Sequence, residues 1–225
     1  SHEAASYQQL AIIASVTTSK PHDSCARQRF LETGPLAFLP ISNHQCSIVW
    51  SADLEEANRL LTLSDAAFSE ALAAAFNYEL GSIASVSLRK SFPLARQHAK
   101  RYIGDRIALI GDAAHTVHPL AGLGANQGIS DAAALSQIIN ARHSDNRDFS
   151  TRSVLRRYER WRRSENAFLI DTIDSLQKCF GIKNPVVSQA RTAGLNLTAR
   201  SEILKRKLMH HAIGFGGQTP RLAQQ

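Results

Sequence analysis

The fold is decided by a glycine-rich stretch near the middle of the chain, Gly111-Asp112-Ala113-Ala114-His115-Thr116-Val117-His118-Pro119-Leu120-Ala121-Gly122-Leu123-Gly124-Ala125-Asn126-Gln127-Gly128. It holds four glycines and one proline in eighteen residues, whereas the whole chain has 12 glycines in 225. The apolar run Arg106–Gly111 before it predicts a short strand, and an apolar helix is predicted after it, through about Ile139.

A loop that leads into a helix presents backbone N–H groups at the helix N-terminus, where an anionic or electron-rich ligand is favoured. The glycines let the backbone approach a flat or phosphorylated ligand, and Asp112 can accept hydrogen bonds from a sugar-like hydroxyl. The residues alone therefore predict a ligand-binding strand, loop and helix, with a purely structural turn as the alternative.

The segment before this stretch has the pattern of an antiparallel sheet with two short helices. Strands are predicted at Tyr7–Val16, Leu36–Ile41, Cys46–Trp50 and Ile83–Phe92, with a hairpin connection at Ser42–His44. The part from Leu54 to Leu80 is rich in Ala, Leu and Glu at helical spacing, and Ser64-Asp65 provides an N-cap for the second helix.

The segment after the stretch is helical and basic. Apolar residues recur at nearly helical spacing from Ser153 to Phe180, and Arg156, Arg157, Arg160 and Arg163 lie mostly off that apolar stripe. Gly181 is predicted to end this helix, and two further helices are predicted at 185–194 and 202–211.

The net charge of +7 lies entirely in the last third of the chain. Residues 1–150 carry 12 basic and 14 acidic side chains, whereas residues 151–225 carry 14 basic and 5 acidic ones. Clustered positive charge attracts an anionic membrane surface, an acidic partner or nucleic acid, and a solvated helix face is the alternative. Nucleic acid is disfavoured because no motif interleaves basic and aromatic residues.

Several classes of protein and site are disfavoured by composition. No run of 18 apolar residues is present, and Cys25, Cys46 and Cys179 have no paired spacing. His115 and His118 lack further converging donors, so no metal site is predicted, and no residue is assigned a catalytic role as a nucleophile or acid–base pair. These features predict a soluble protein of the cytoplasm.

The central stretch resembles the second flavin fingerprint of the class A FAD-dependent monooxygenases, which reads G-D-A-A-H, then P, then G-Q-G-x-N-x-G and an Asp. Its flanks are similar to a narrower branch, the ubiquinone-biosynthesis hydroxylases that act on polyprenyl phenols and benzoquinols. The matching flanks are Gly34–Pro40, Cys46–Trp50, Phe92–Leu94 with His98-Ala99, and Ala193–Leu195 followed by a Lys-rich helix.

This resemblance implies FAD as cofactor and assigns roles to individual residues. Gly111 would belong to the cofactor-binding residues, Asp112 would bind the ribityl chain, and Pro119 would lie against the isoalloxazine ring. Backbone amides of the segment Gly122, Leu123, Gly124, Ala125 and Asn126 would lie near the pyrimidine edge of the flavin, where a helix N-terminus stabilises negative charge. Leu123 stands where the family usually has Gln, which removes one side-chain amide and leaves the backbone contacts available.

The chain departs from the family in what precedes the fingerprint. Family members open with a strand, G-x-G-x-x-G and an acidic residue for the ADP half of FAD, and this pattern is absent here. We therefore expect the C-terminal half of a protein about twice as long. By itself this half is expected to hold FAD weakly and to be inactive, and open sheet edges favour its dimerisation.

Together these observations predict an α+β protein that forms part of a p-hydroxybenzoate-hydroxylase-like (PHBH-like) fold. Residues 1–105 would supply antiparallel strands and short helices of the substrate domain, 106–150 the FAD-contacting strand, loop and helix, and 151–225 a basic helical region. The expected function is NAD(P)H- and O₂-dependent hydroxylation of a polyprenylated phenol or quinol in ubiquinone biosynthesis, with peripheral contact at the inner face of the membrane. The alternative is a non-catalytic module that binds a membrane or other proteins in a quinone-synthesis complex.

Overall fold

The computed structural model describes residues 2–118, 122–181, 198, 201–203, 206 and 220–223. The chain is α+β, as predicted, and divides into two compact units. We call Ser6–Leu94 the sheet unit, and Ala95–Gln225 together with Ser1–Ala5 the motif unit. The strands are β1 His2–Thr18, β2 Arg27–Leu31, β3 Gly34–Ser42, β4 Gln45–Asp53, β5 Ile83–Val86, β6 Lys90–Ala99 and β7 His115–Thr116. The helices are α1 Leu54–Thr62, α2 Asp65–Ala75, α3 Gly124–Ser144 and α4 Arg152–Gly181.

The sheet unit is antiparallel, with strands in the order β2-β3-β4-β1 and with β5 paired to β1. Side chains directly opposite each other point to the same face, so the register sorts them into rows. The row Ile12–Trp50–Leu36 is buried in the core, whereas the next row, Ile13–Val49–Ala37, lies on the opposite face and is only partly buried.

Helices α1 and α2 complete the core of the sheet unit. Asp53 caps α1 by accepting from the Glu56 N–H, and Ser64 caps α2 by accepting from the Ala67 N–H, so the predicted N-cap at Ser64 is confirmed. Leu60, Phe68 and other apolar side chains of these helices are fully buried in the same core cluster as the inner sheet rows. The sheet unit therefore has its own hydrophobic core.

The predicted strand Ile83–Phe92 is wrong in one respect, because the chain forms two strands there. β5 ends at Val86 and β6 begins at Lys90. Between them Arg89 donates to the Leu60 carbonyl and to Asp65 and lies over the Phe68 ring, which draws the chain onto the helices and leaves Leu88 exposed. The short strand β2 was not predicted, since its first three residues are polar or basic and its two apolar residues, Phe30 and Leu31, are adjacent rather than alternating.

In the motif unit, β6 pairs with the short strand β7 through Gln97–Thr116 and His98–His115. The predicted strand Arg106–Gly111 is reduced to a single bridge between Ile103 and Ala108. This run closes a tight hairpin, in which the Leu109 N–H donates to the Tyr102 carbonyl, and no neighbouring strand extends it in the described part of the chain. Helix α3 follows the glycine-rich stretch, as predicted.

Helix α4 confirms the predicted long amphipathic helix. Val154 and Tyr158 are buried against Ile138 and Ala134 of α3. Arg156, Arg157, Arg160 and Arg163 are exposed, as predicted, but Phe168 is also exposed rather than part of the buried stripe. The helices predicted at 185–194 and 202–211 fall largely outside the described residues.

Two further observations concern the whole chain. Among the described residues, no helix combines the length and apolar character needed to cross a bilayer. The compact sheet unit ends at Leu94, eleven residues before the boundary expected at residue 105. The assignment of the three segments to substrate, flavin and basic roles stays a prediction.

Candidate functional site

The predicted site residues lie at the two ends of the glycine-rich loop. Gly111 opens a 3₁₀ turn, Gly111–Ala113, and Asp112 in that turn has an exposed side chain. At the other end Leu123 is the N-cap of α3, followed in its first turn by Gly124, Ala125 and Asn126. Gly122 has φ +62° and precedes the cap. Pro119 lies outside the described residues.

The start of the glycine-rich loop lies beside helix α3, because Gly111 and Gly128 approach each other closely. Gly111 has φ +57°, and a Cβ placed on Gly128 would lie 3.3 Å from the Gly111 Cα. That distance is tighter than an ordinary contact, so a side chain at position 128 would push the turn away from α3. The turn that carries Asp112 is therefore held beside the second turn of α3.

The N-terminus of α3 has no side-chain cap. Leu123 makes no capping hydrogen bond, and no acidic residue occupies the first turn. Among the described residues, a Cβ on Gly122 or Gly124 would meet nothing within 4 Å. The N-terminus of this 21-residue helix thus has N–H groups and positive partial charge without a capping side chain from Leu123, which suits an anionic or electron-rich group.

This donor set fits a flavin. Uncapped backbone N–H groups suit the electron-rich pyrimidine edge, and the exposed Asp112 carboxylate suits a hydroxylated chain. Because Gly122 and Gly124 have no Cβ, their backbone can approach a flat ring system closely. Leu123 itself is nearly buried, so its side chain faces the protein and leaves the backbone as the contacting group.

Beneath the loop, the fully buried carboxylate of Asp131 collects four donors. Its Oδ2 accepts from the Gly111 N–H at 3.0 Å and from His115 Nε2 at 2.6 Å. Its Oδ1 accepts from Arg162 Nε at 2.7 Å and from Asn166 Nδ2 at 3.2 Å. One side chain of α3 thereby ties the 3₁₀ turn, β7 and α4 together.

Arg162 of α4 extends the same network toward the loop. Its side chain is 3% exposed, and Nη2 donates to Gln127 Oε1 at 2.8 Å and to Asn166 Oδ1 at 3.1 Å. Its Nη1 donates to Glu165 Oε2 at 2.5 Å. Such charge-assisted bonds in a dry interior are strong and hold their partners in one geometry.

The protonation states of Asp131 and Tyr102 follow from their burial and their hydrogen-bond partners. Burial alone would raise the pKa of Asp131, but hydrogen bonds from His115 and Arg162 and their positive charges outweigh it, so the pKa is lowered. Asp131 is therefore an anion paired with Arg162 at neutral pH. Burial raises the pKa of Tyr102 to about 12, so this phenol remains protonated and can donate.

Tyr102 links the network to β6. Its hydroxyl lies 3.0 Å from His98 Nε2 and accepts from Asn166 Nδ2 at 3.3 Å, and its backbone N–H donates to Glu159 Oε1 at 2.8 Å. Burial lowers the pKa of His98, helped by the charges of Arg163 and His115.

Sequence reasoning missed Gln127, Arg162 and Asn166, although a signal for two of them was present. Extending the buried pair Val154 and Tyr158 by steps of four along α4 reaches Arg162, Asn166 and Ile170, all buried. Polar residues at positions where the helical period requires burial indicate a buried network. No functional role was assigned to His115 from the sequence, and the structure places its Nε2 at 2.6 Å from Asp131 Oδ2.

Metal binding has no support from the described residues. Within them, no group of three or more His, Cys, Asp or Glu side chains converges as a metal site would require. His115 is instead committed to Asp131.

His118 gives the loop a predicted acid sensitivity. Burial lowers the pKa of His118 to about 4, with Asp174 opposing the shift. The unfolded chain takes up this proton near pH 6.5 and the folded chain only near pH 4, so folding stability is full above pH 6.5 and falls as the pH falls between those values. From pH 7.5 to 5.0 we expect His118 to cost about 2 kcal/mol of unfolding free energy.

Denaturant unfolding at both pH values tests this, with His118→Gln expected to remove that part of the pH dependence. Exposed His143, changed to Gln, is the matched control and should leave the dependence unchanged. Equal pH dependence in wild type and His118→Gln would contradict the prediction.

Comparison with known proteins gives a family match and curated relatives. The profile of the family described as "FAD binding domain" matches residues 6–171. A ubiquinone hydroxylase, UbiL, of Rhodospirillum rubrum is 36% identical over 219 residues, covering 96% of this chain and 51% of the relative. The 3-demethoxyubiquinol 3-hydroxylase of Escherichia coli is 32% identical over 209 residues, which cover 93% of this chain and 53% of that relative. The mitochondrial ubiquinone biosynthesis monooxygenase COQ6 of Xenopus tropicalis is 33% identical over 240 residues, which cover 92% of this chain and 52% of that relative.

Solved structures share the fold. The p-nitrophenol 4-monooxygenase PnpA of Pseudomonas putida DLL-E4 aligns with a TM-score of 0.72 at 15% identity, over 97% of this chain and 55% of that one. Klebsiella pneumoniae HpxO, solved with FAD and uric acid, aligns with a TM-score of 0.65 at 17% identity, over 97% and 55%. These likenesses confirm the predicted α+β fold. The chain spans about half the length of the curated relatives that it matches.

Proposed function

Because the chain belongs to the FAD-binding domain family, we propose that it forms the flavin-contacting and substrate-sheet part of an aromatic hydroxylase of ubiquinone biosynthesis. The observation that carries this proposal is the N-terminus of α3, where Leu123 makes no capping hydrogen bond and lies between Gly122 and Gly124. Its backbone N–H groups would hold the electron-rich edge of the flavin. Asp112 would accept hydrogen bonds from the ribityl hydroxyls, and Pro119 would lie against the ring.

The proposed reaction consumes NAD(P)H, O₂ and a proton, and yields the hydroxylated ring, NAD(P)⁺ and water. FAD, when bound, supplies the activation of oxygen and accepts the hydride. The residues of this chain position the flavin, keep water out of the buried network under the loop, and hold Asp131 as an anion. Because FAD would supply the chemistry and the protein would position it, the proposed reaction needs no nucleophile or acid–base pair of the protein.

A polyprenylated phenol or quinol is the proposed substrate. The named activities of the relatives support this class, and the sheet unit offers a suitable surface. The row Ile13–Val49–Ala37, with partly exposed Leu39 nearby on β3, forms an apolar strip on the face of the sheet opposite the core. An apolar strip of this kind stabilises an aromatic ring or prenyl chain by removing it from water.

The experiment is reconstitution of the full-length protein with FAD, followed by NADH or NADPH oxidation in the presence of a short-chain polyprenyl phenol. We expect a product heavier by one oxygen atom in mass spectrometry. Asp112→Ala is expected to weaken FAD binding by about 10- to 100-fold, since a hydrogen bond to a charged group contributes about 1.5–3 kcal/mol. Exposed Asp105→Ala is the matched control and should bind FAD as the wild type does.

Two results would contradict this function. Failure to bind FAD under any reconstitution would remove the flavin assignment. FAD binding without an oxygenated product would favour the alternative, a non-catalytic module of a quinone-synthesis complex. Gel filtration of the same preparation tests whether this chain, expressed alone, dimerises.

Peripheral membrane contact is proposed for the basic surface of α4. Arg152, Arg156, Arg157, Arg160 and Arg163 are all exposed on its first half. A basic residue near an anionic bilayer contributes about 1 kcal/mol, so flotation with anionic vesicles should exceed flotation with neutral ones. Arg156→Gln/Arg160→Gln should lower anionic partitioning about 30-fold by the same arithmetic. Flotation that ignores lipid charge would refute this contact.

A further inference from the structure

The geometry of the glycine-rich loop depends on Asp131, which lies outside the residues expected to contact flavin. Asp131 Oδ2 accepts both the Gly111 N–H and His115 Nε2, so the first five residues of the loop are fastened to α3 through one oxygen. Gly111 immediately precedes Asp112, whose carboxylate is proposed to hold the ribityl chain. A shift of Asp131 would therefore move Asp112 relative to the N-terminus of α3.

Asp131 is fixed in turn by a residue of a different helix. Arg162 Nε donates to Asp131 Oδ1 at 2.7 Å, and both side chains are almost completely buried. Burial of a carboxylate without a partner is strongly unfavourable, so the anion that fastens Gly111 requires the guanidinium of α4. Asn166, one turn later on α4, donates to the same oxygen.

Arg162 also reaches the other end of the loop directly. Its Nη2 donates to Gln127 Oε1 at 2.8 Å, and Gln127 follows the first-turn residue Asn126 of α3. One guanidinium thus connects to both ends of the loop, to Gly111 through Asp131 and to the first turn of α3 through Gln127. The planar, forked geometry of arginine suits this double connection, which a lysine ammonium reproduces poorly.

We infer that Arg162 is a positioning residue for the flavin-contacting loop, acting from α4 through Asp131 and Gln127 to hold both loop ends in their binding geometry. The inference rests on the proposed function for the identity of the ligand. Gly111, Asp131, Arg162 and Gln127 are joined by hydrogen bonds within the protein itself, so both ends of the loop are held before the cofactor binds. Preorganisation of this kind raises affinity by lowering the cost of ordering the site on binding.

The test compares Arg162→Lys, Gln127→Ala and Arg147→Gln in the full-length protein. Arg147 is an exposed arginine between α3 and α4, so it is the matched control. We expect Arg162→Lys to weaken FAD binding at least 10-fold and Gln127→Ala about 3- to 10-fold, with no change in Arg147→Gln. The absorbance maxima and the fluorescence of bound flavin should shift in the first two variants, which a loss of global stability in a folded protein would not cause.

Hydrogen exchange without FAD provides the second readout. Backbone amides of residues 111–118 and 122–128 should exchange faster in Arg162→Lys and Gln127→Ala than in the wild type, while amides of the sheet unit remain unchanged. Gln127→Ala removes the part-buried hydrogen bond from Arg162 Nη2 to Gln127 Oε1 and leaves the Asp131–Arg162 pair intact. This variant therefore still tests the positioning role if Arg162→Lys does not fold.

The outcomes separate the two hypotheses. If the wild type binds FAD and the Arg162 and Gln127 variants bind it equally well with an unchanged flavin spectrum, the positioning role is overturned and the proposed function stands. If the wild type itself binds no FAD, the proposed function fails and the inference fails with it, whatever the exchange data show.

Discussion

Replacing Asp131 with asparagine is expected to lower the free energy of unfolding by about 3–5 kcal/mol, the usual cost of removing one member of a buried ion pair. Asparagine has nearly the same shape, so no cavity forms. However, its amide has a single acceptor oxygen, whereas four donors converge on the two oxygens of Asp131. In either orientation its NH₂ group faces other donors, and Arg162 loses its buried counter-charge.

Denaturant unfolding measures this effect, with Asp105→Asn as the control. That change makes the same chemical substitution at an exposed site and should cost no more than about 0.5 kcal/mol. The double variant Asp131→Asn/Arg162→Gln removes the uncompensated charge and should recover part of the loss. A cost for Asp131→Asn as small as that of the control would show that the buried pair contributes little.

Replacing Gly34 with alanine, at the start of β3, is expected to be similarly damaging. Gly34 has φ +147°, and a Cβ there would lie 2.2 Å from the Ser51 carbonyl oxygen and 2.9 Å from its carbon. The obstacle is backbone, which is itself held because the Asp53 N–H donates to the Thr33 carbonyl beside Gly34. Backbone strain of about 1–3 kcal/mol and overpacking of about 1–3 kcal/mol add to an expected loss of about 2–6 kcal/mol.

Gly104→Ala is the matched control for this second prediction. Its Cβ would meet Ile107 Cβ at an ordinary 3.6 Å, and its φ lies outside the left-handed region. Thermal and denaturant midpoints of the two variants should therefore differ clearly, with Gly104→Ala close to the wild type. Equal midpoints would mean that the β2–β3 turn relaxes away from Ser51 at little cost.

Local sequence patterns predicted much of the architecture, because they depend only on near neighbours in the chain. The strands at Tyr7–Val16, Leu36–Ile41 and Cys46–Trp50 were found within β1, β3 and β4, and the Ser64 cap within the Ser64–Ala67 turn. Alternation and capping are properties of a few consecutive residues. The break between β5 and β6 escaped prediction, since it depends on Arg89 reaching Leu60 and Asp65 far away in sequence.

The residues of the candidate site likewise fall into those that local sequence predicted and those that only the tertiary structure revealed. The sequence by itself determined the glycine-rich loop, the helix after it and the candidate residues at Gly111, Asp112 and Gly122–Asn126, because these are adjacent in the chain and form a recognisable motif. Only the tertiary structure decided that Asp131 fastens the loop and that Arg162, thirty-one positions later, pairs with it. In sequence, Arg162 is one of six arginines between residues 152 and 163. What distinguishes it is burial against α3, and burial depends on how two helices pack rather than on either helix alone.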